Sequence, residues 1–373
     1  MDNARSDPTT PDAPNRPGFS VVRWMFDLAL LWSFISAISI PLRIDNWPTA
    51  VFLSYPPRIT YILFATGFAI YLLLTQVLLT RALPFRGLFS RIKRGYWIRL
   101  GMSLITIIGC IVSLGWNPLR TTPVIATDTS SPSLSLVTAN TGGRPVEFAD
   151  QLAKTIHPDI ICLQEVSVSH RKAIAASFPN HQLFYGTEDV DHGNSSILVF
   201  TNVTCLHRAT FLTKQAVVSA DVTGYRTFAV VAPLRSNPTQ SLAIVNVHTT
   251  KALALHAGLQ EFMFQTPYKS QQHVDERIAI DAWTSKQPNG QGILLAGDFN
   301  APTHTVGARF QQFTNSHLVT TNSSLLTFPE SWPVLGIDHV FGNARIQFTK
   351  SEVLRNPSSD HRYRRVEFSS PDL

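Results

Sequence analysis

Residues Ile59 to Thr80 make 22 consecutive positions without a charged side chain. A helix needs about 20 apolar residues to cross the hydrocarbon core of a bilayer. This run therefore restricts what the N-terminal part of the chain can become. Two similar runs flank it: Trp24 to Pro41, with Asp27 as its one charge, and Leu100 to Trp116, 17 residues with none. Aromatic residues stand near the ends of these runs (Trp24, Tyr55, Tyr61, Trp97, Trp116), as in the interfacial belts of membrane helices. Buried core helices are the alternative reading of such runs. The succession of three predicts transmembrane helices over about 24–41, 59–80 and 100–116, within a region 21–116.

Charge orients that region. The loop between the second and third runs holds Arg81, Arg86, Arg91, Lys93, Arg94 and Arg99 and no acidic residue. The loop between the first and second has only Arg43, Arg58 and Asp45. The excess of Lys and Arg places the 81–99 loop in the cytoplasm. Everything after Trp116 then lies outside the membrane, with the N-terminus inside. Residues 1–20, rich in Pro, Asp and Asn, read as a disordered cytoplasmic tail. No cleavable signal peptide is evident, because the first apolar stretch begins only near Val21. Residues 117–133, rich in Pro, Thr and Ser, read as a linker.

From Leu134 the pattern becomes short apolar runs alternating with helical ones. Strands are expected over Leu134–Ala139, Asp159–Gln164, Ser195–Phe200, Thr227–Pro233, Ser241–Val247, Gly292–Gly297 and Ile337–Phe341. Helices are expected over Pro145–Ile156, Val168–Phe178 and Lys269–Lys286. This mixture points to an α+β sandwich of two sheets over residues 134–368. Of 31 Lys/Arg and 25 Asp/Glu, 12 and 6 fall in residues 1–133, leaving 19 of each in the rest. The second region has no net basic charge, which disfavours a surface built to grip nucleic acid by its phosphates. The three cysteines, Cys110, Cys162 and Cys205, lack C-x-x-C spacing, so no zinc ribbon is indicated. Cys162 and Cys205 read as buried thiols or, in an oxidising compartment, as a disulfide.

Polar residues recur just after apolar strands, where a sandwich gathers its loops at one end. Glu165 closes Asp-Ile-Ile-Cys-Leu-Gln-Glu, and its carboxylate suits a hard divalent cation. Asn140 ends Leu-Ser-Leu-Val-Thr-Ala-Asn. His248 follows Ala243–Val247 and is placed to donate to a phosphoryl oxygen. Gly297-Asp298-Phe299-Asn300 follows Ile293–Ala296 and sets two oxygen-bearing side chains two residues apart. Asp338 in Ile-Asp-His-Val-Phe is a candidate to orient a separate histidine, and Ser359-Asp360-His361 supplies one. Each residue has an ordinary alternative: a turn residue, an Asx-turn, a packed core histidine or a solvated strand end.

Their order is more specific than any single one. Asn140, Glu165, His248, Asp298 with Asn300, Asp338, then Asp360 with His361 resembles the motif order of the endonuclease/exonuclease/phosphatase superfamily. GDFN, IDHVF and SDH are the most specific pieces, and Gly193–Phe200 is similar to that family's Gly-rich approach to a central strand. The resemblance implies a four-layer α/β/β/α sandwich and a metal-dependent hydrolase of phosphoester or phosphoanhydride bonds. It implies Mg²⁺ as cofactor, with Mn²⁺ as the alternative, held by Glu165 with Asn140 and Asp360 close by. Asp298 would activate the attacking water, and Asn300 and His248 would bind phosphoryl oxygens. Asp338 would buttress His361, as general base or electrostatic stabiliser; the roles of Asp298 and His361 are interchangeable at this stage.

The overall layout is similar to bacterial membrane phosphatases associated with vancomycin and teicoplanin resistance. That points to a polyprenyl pyrophosphate at the outer membrane face, with the bilayer as partner and no protein partner indicated. Apolar residues in 251–268 (Leu253, Leu255, Leu259, Phe262, Met263, Phe264) suit either a membrane-dipping loop or a loop packed on the core. Arg362, Arg364 and Arg365 suit either a second phosphate or a solvated strand edge. An extracytoplasmic nuclease and a sphingomyelinase or phospholipase C-like phosphodiesterase are the rival readings.

Overall fold

The computed structural model describes most of residues 133–370, apart from 187–199, 253–258, 303–309, 316–325 and a few single positions. Before that it describes residues 24, 27–35, 65–70, 72 and 94–113. The expected tail 1–20, the loop 42–58 and nearly all of the linker lie outside the described residues, as do residues 193–199, Leu253 and Leu255.

Among the described residues, twelve strands form two six-stranded sheets. In chain order they are β1 Leu134–Asn140, β2 Ile160–Ser167, β3 His181–Tyr185, β4 Phe200–His207, β5 Val217–Ser219 and β6 Phe228–Pro233. They continue as β7 Ser241–His248, β8 Gly292–Asp298, β9 Thr314–Asn315, β10 Asp338–Gly342, β11 Gln347–Leu354 and β12 Tyr363–Ser369. The first sheet runs β11-β12-β1-β2-β4-β3 and the second β5-β6-β7-β8-β10-β9. Each has one parallel pair at its centre, β1 with β2 and β7 with β8. The helices with described bounds include α1 Arg94–Ser113, α2 Pro145–Thr155, α3 Arg171–Ser177 and α4 Leu259–Thr284; residues 27–35 and 65–70 are helical as well.

Strand alternation builds the layers. Successive side chains point to opposite faces, so Leu136 enters a core between the sheets while its neighbour Val137 packs outward under α2 and α3. Likewise Leu294 joins the central core and Leu295 an outer cluster with Ile280 of α4. The order is therefore helix, sheet, sheet, helix. Burial on both faces explains why the central strands read as unbroken apolar runs. Phe148 of α2 is fully buried against Tyr363, ring centroids 5.2 Å apart. Its truncation to Ala is expected to cost about 3–5 kcal/mol. α2 carries sequence-level end signals: Pro145 in its first turn, Glu147 beside it and Lys154 in the last turn.

Differences from the sequence reading have local causes. Pro267 marks a boundary in the sequence, yet α4 runs through it and begins at Leu259 rather than Lys269. β11 and β12 alternate buried with part-exposed positions and carry Lys350, Glu352, Arg364 and Arg365, which hides them as strands. Cys162 packs in the central core and Cys205 in the outer cluster, on opposite faces of the first sheet, and both are free thiols. Burial pushes the Cys162 thiol up to about 12.

Among the described residues no helix is long and apolar enough to cross a membrane. The expected spans 24–41 and 59–80 are described only in fragments, and α1 places Arg94 and Arg99 ahead of its apolar stretch. Within these fragments Leu30, Phe68 and Leu72 pack together, while Trp24, Leu28, Leu31, Trp32, Ile70, Trp97, Ile98, Leu104, Ile105 and Ile108 are exposed. Asp27, the one charge of the first apolar run, accepts two hydrogen bonds from Arg99, at 2.7 and 2.6 Å.

Candidate active site

The polar residues singled out by sequence gather at one end of the sandwich. Asn140 ends β1 and Asp298 ends β8. The Asn140 amide nitrogen donates to Asp298 Oδ2 at 3.0 Å and to Glu165 Oε1 at 3.1 Å, so one side chain links carboxylates from both sheets. Its Oδ1 accepts from the Gly142 N–H at 3.0 Å. Gly142 adopts φ +55°, and a Cβ there would meet Ser359 Oγ at 3.0 Å. Ser359 in turn donates to the Asn140 carbonyl at 2.8 Å, drawing the loop of Asp360 and His361 onto the end of β1.

Glu165 sits at an irregularity in the β2–β4 ladder, with φ +56°. This left-handed backbone, uncommon for a residue with a Cβ, leaves its carboxylate partly exposed and 3.7 Å from His248 Nε2. His248 is buried, with no hydrogen-bond partner at Nδ1 among the described residues. Burial, then the nearby charges of Arg226, Lys251 and His361, hold its pKa well below the usual histidine value. It is a neutral imidazole at neutral pH.

The opposite wall is fully buried. Asp298 and Asp338 face each other in the β8–β10 register. His361 Nδ1 donates to Asp338 Oδ2 at 3.0 Å, and its Nε2 lies 3.9 Å from Asp298 Oδ2. Burial disfavours the His361 cation, but Asp338 first and Asp298 second outweigh it and push the pKa up to about 9. Burial raises Asp298 to about 6 against the lowering influence of His361. Asp298 Oδ1 also accepts from the Asn300 N–H at 2.7 Å, so the Asx-turn and the site coexist in GDFN. Asn300, at φ +45°, donates to the Thr249 carbonyl at 2.8 Å.

One glycine brings the two walls together. Gly297 has φ +152°, and a Cβ there would fall 1.9 Å from the Val247 carbonyl oxygen. Only glycine lets β7 and β8 stay paired up to His248 and Asp298.

Some supporting residues carry no local sequence signal. Thr327 Oγ1 accepts from the N–H groups of Ile337 and Asp338, both at 3.2 Å. The Phe328 ring packs on His361, centroids 4.9 Å apart. Gln164 reaches across the interior to Asn246 Oδ1 at 2.8 Å, fastening the sheets just beneath the site. Ser359 is the exception, since it belongs to the SDH motif. The basic trio is used within the fold: Arg362 donates to the Glu330 carbonyl, Arg365 pairs with Glu367, and Arg364 is buried in the sheet near Ser351.

Two acidic arrangements could hold a cation. Asp298, Asp338 and His361 have ligand atoms within 4.8 Å of one another. There His361 already donates to Asp338. Glu165 offers a solvent-facing carboxylate, with Asp360 exposed on the same rim beside Gly142. This all-oxygen set fits a hard divalent cation.

The sequence profile of the Endonuclease/Exonuclease/phosphatase family matches residues 137–361, from β1 to His361. The chain belongs to this family. Its members are hydrolases of phosphoester bonds, phosphatases and nucleases among them, and generally depend on a divalent metal. Solved structures similar in fold include a family protein of Bacteroides thetaiotaomicron, 15% identical with TM-score 0.50, covering 64% of this chain and 98% of that one. A mannosyl-6-phosphatase of the same organism is 15% identical with TM-score 0.50, covering 63% and 99%. A family protein of Bacteroides vulgatus is 13% identical with TM-score 0.49, covering 64% and 99%. For the two Bacteroides thetaiotaomicron structures, at this identity, the likeness is one of fold. No curated protein matches the chain.

Proposed function

We propose that this family member is a Mg²⁺-dependent phosphoesterase held at the outer face of a membrane, acting on a polyprenyl pyrophosphate. The observation that carries the chemistry is the buried Asp298–His361–Asp338 wall facing the part-exposed Glu165. Asp298, ionised above about pH 6, takes the proton of the attacking water. His361, a cation below about pH 9, offsets charge gathering on the phosphoryl oxygens, while Asp338 fixes its ring. What supports this division of roles is that a carboxylate with a near-neutral pKa can act as a base, while a paired imidazolium cannot. Neutral His248 and the Asn300 amide are donors to phosphoryl oxygen. Glu165, with Asp360 and the Asn140 corner beside it, would hold Mg²⁺, which when bound would supply Lewis-acid polarisation of the phosphate.

The substrate class rests on different features. The exposed apolar side chains of the N-terminal helical residues form the kind of surface that lipid covers. The Asp27–Arg99 pair neutralises the one charge that spoils the first run. The catalytic region has balanced charge, unlike a nucleic-acid surface. The test uses the full chain in lipid nanodiscs with Mg²⁺ or EDTA, against undecaprenyl pyrophosphate, sphingomyelin, phosphatidylcholine and plasmid DNA. Metal-dependent phosphate release from the polyprenyl lipid is expected. Nicked DNA with untouched lipid would make the protein a surface nuclease, and choline-phosphate release a phosphodiesterase.

A further inference from the structure

The segment that follows His248 is held by side chains from another layer. β7 ends at His248; the Thr249 N–H still bonds the Asp298 carbonyl of β8, and Thr250 is the first residue beyond that bond. Thr250 nonetheless has every polar group occupied. Its N–H donates to Glu276 Oε2 at 2.6 Å, and its hydroxyl to Glu276 Oε1 at 2.7 Å. Its carbonyl lies 2.8 Å from His273 Nδ1. Glu276 and His273 stand three residues apart on α4, one above the other on the same helix face. Both are buried, at 2% and 1% exposure. Burying a carboxylate is costly unless its oxygens are engaged, and here both are engaged by a single residue.

Thr249 carries the connection onward. Its N–H donates to the Asp298 carbonyl at 3.1 Å and its hydroxyl to the Phe299 carbonyl at 2.5 Å. Its own carbonyl accepts from the Asn300 amide. The chain from α4 is therefore continuous: Glu276 and His273 hold Thr250, Thr250 adjoins Thr249, and Thr249 fixes Asn300 and the end of β8. His248 leads directly into the same segment and is itself tied through its N–H to Thr227 Oγ1 at 3.1 Å.

We propose that Glu276 and His273 are positioning residues, which clamp Thr250 and thereby set His248 and Asn300 at the distances phosphoryl transfer requires. Neither touches the reacting atoms. The inference rests on assigning phosphoryl contacts to His248 and Asn300, but not on the lipid substrate. Misplacement of a catalytic group by about 1 Å can cost about 10²-fold in rate. A lost clamp should therefore appear in turnover rather than in binding.

The experiment takes the full chain in nanodiscs and measures Mg²⁺-dependent hydrolysis of bis(p-nitrophenyl) phosphate, together with hydrogen exchange across 246–252. Glu276→Ala should lower kcat about 10- to 100-fold with KM within about threefold. It should also speed exchange at the Thr250 amide, a readout that needs no turnover. Glu276→Gln keeps an acceptor for that amide and a partner for the hydroxyl, and should recover kcat to within about fivefold of the parent. In a His248→Ala/Asn300→Ala background, Glu276→Ala should lose most of its effect, because both groups it positions are gone. A folded Glu276→Ala with parental kcat and unchanged exchange would overturn the proposal. So would a full, additive loss in the His248→Ala/Asn300→Ala background, which is the mark of a merely structural role. If Glu276→Ala does not fold, Thr250→Val removes one bond of the clamp, and kcat unchanged in that variant overturns the proposal equally.

Discussion

The two sheets meet at one rim but contribute different kinds of group. From the second sheet come His248, Asp298, Asn300 and Asp338, all buried; Asp298 and Asn300 are tied to backbone groups and Asp338 to His361. From the first come Glu165 and Asp360, which keep contact with solvent, and Asn140 and His361, which reach across to the second sheet's carboxylates. On this side burial raises Asp298 to about 6, while Asp338 and Asp298 raise His361 to about 9 against the opposing effect of burial. The rim is wet enough to exchange a cation. Under the proposed roles, the base Asp298 belongs to the second sheet and the metal-holding carboxylates to the first, which also lends His361 to the buried side.

Substitution can break that division. Asp298→Asn keeps the size of the side chain and removes the base, so kcat should fall by about 10³-fold. Added Mg²⁺ should not restore it. Glu165→Gln should cost less, about 10²-fold at ordinary Mg²⁺, and raising Mg²⁺ should recover part of the loss. Steady-state rates over a Mg²⁺ titration compare the two directly. If Mg²⁺ rescues Asp298→Asn and not Glu165→Gln, the assignment of sheets to tasks is reversed.

Proton chemistry sharpens the comparison further. Activity should need Asp298 ionised and His361 protonated, giving a bell with limbs near pH 6 and 9. Asp338 is the main influence raising His361. Asp338→Asn should therefore draw the alkaline limb down, with about a tenfold loss at about pH 8.5 and much less at about pH 6.5. An alkaline limb that stays in place would remove His361 from the profile.

The smallest effect concerns stability. Asp298 is raised from 3.8 to about 6 on folding, so the folded state binds this proton more tightly than the unfolded chain. Its contribution is full below about pH 3.8 and lost as pH rises through 6. His361 is raised from 6.5 to about 9, and its contribution is full below 6.5 and lost as pH rises through 9. The metal-free protein should thus melt lower toward alkaline pH. Asp298→Asn, which cannot ionise, should raise the melting midpoint at about pH 8 by a few degrees. A lower midpoint would mean that the Asp298–His361 attraction outweighs the burial of the charge.

Much of this division was legible in sequence wherever chemistry and strand ends coincide. β1, β2, β7, β8 and β10 are buried on both faces, so each reads as an apolar run beside a polar residue. That pattern exposes Asn140, Glu165, His248, Asp298 and Asp338 together with their order. What stays hidden is what depends on contact between distant residues. Nothing near Glu276 announces that its carboxylate will hold Thr250, and nothing near Thr327 announces its two bonds beside Asp338. The link Asn140 makes between Glu165 and Asp298 joins residues as far as 158 positions apart. β11 and β12 escape notice for another reason: they alternate polar and apolar residues and mix charges of both signs.

Gly297 has a consequence for anyone who would redesign the pocket. Its backbone presses so closely on Val247 that no side chain has room. The gap between His248 and Asp298 is therefore closed to adjustment from this position, since any larger residue pries the strands apart instead of widening the gap by a controlled amount. Laboratory evolution toward bulkier phosphate esters has its freedom in the rim loops of the first sheet, and the first letter of GDFN is a point the library should leave alone.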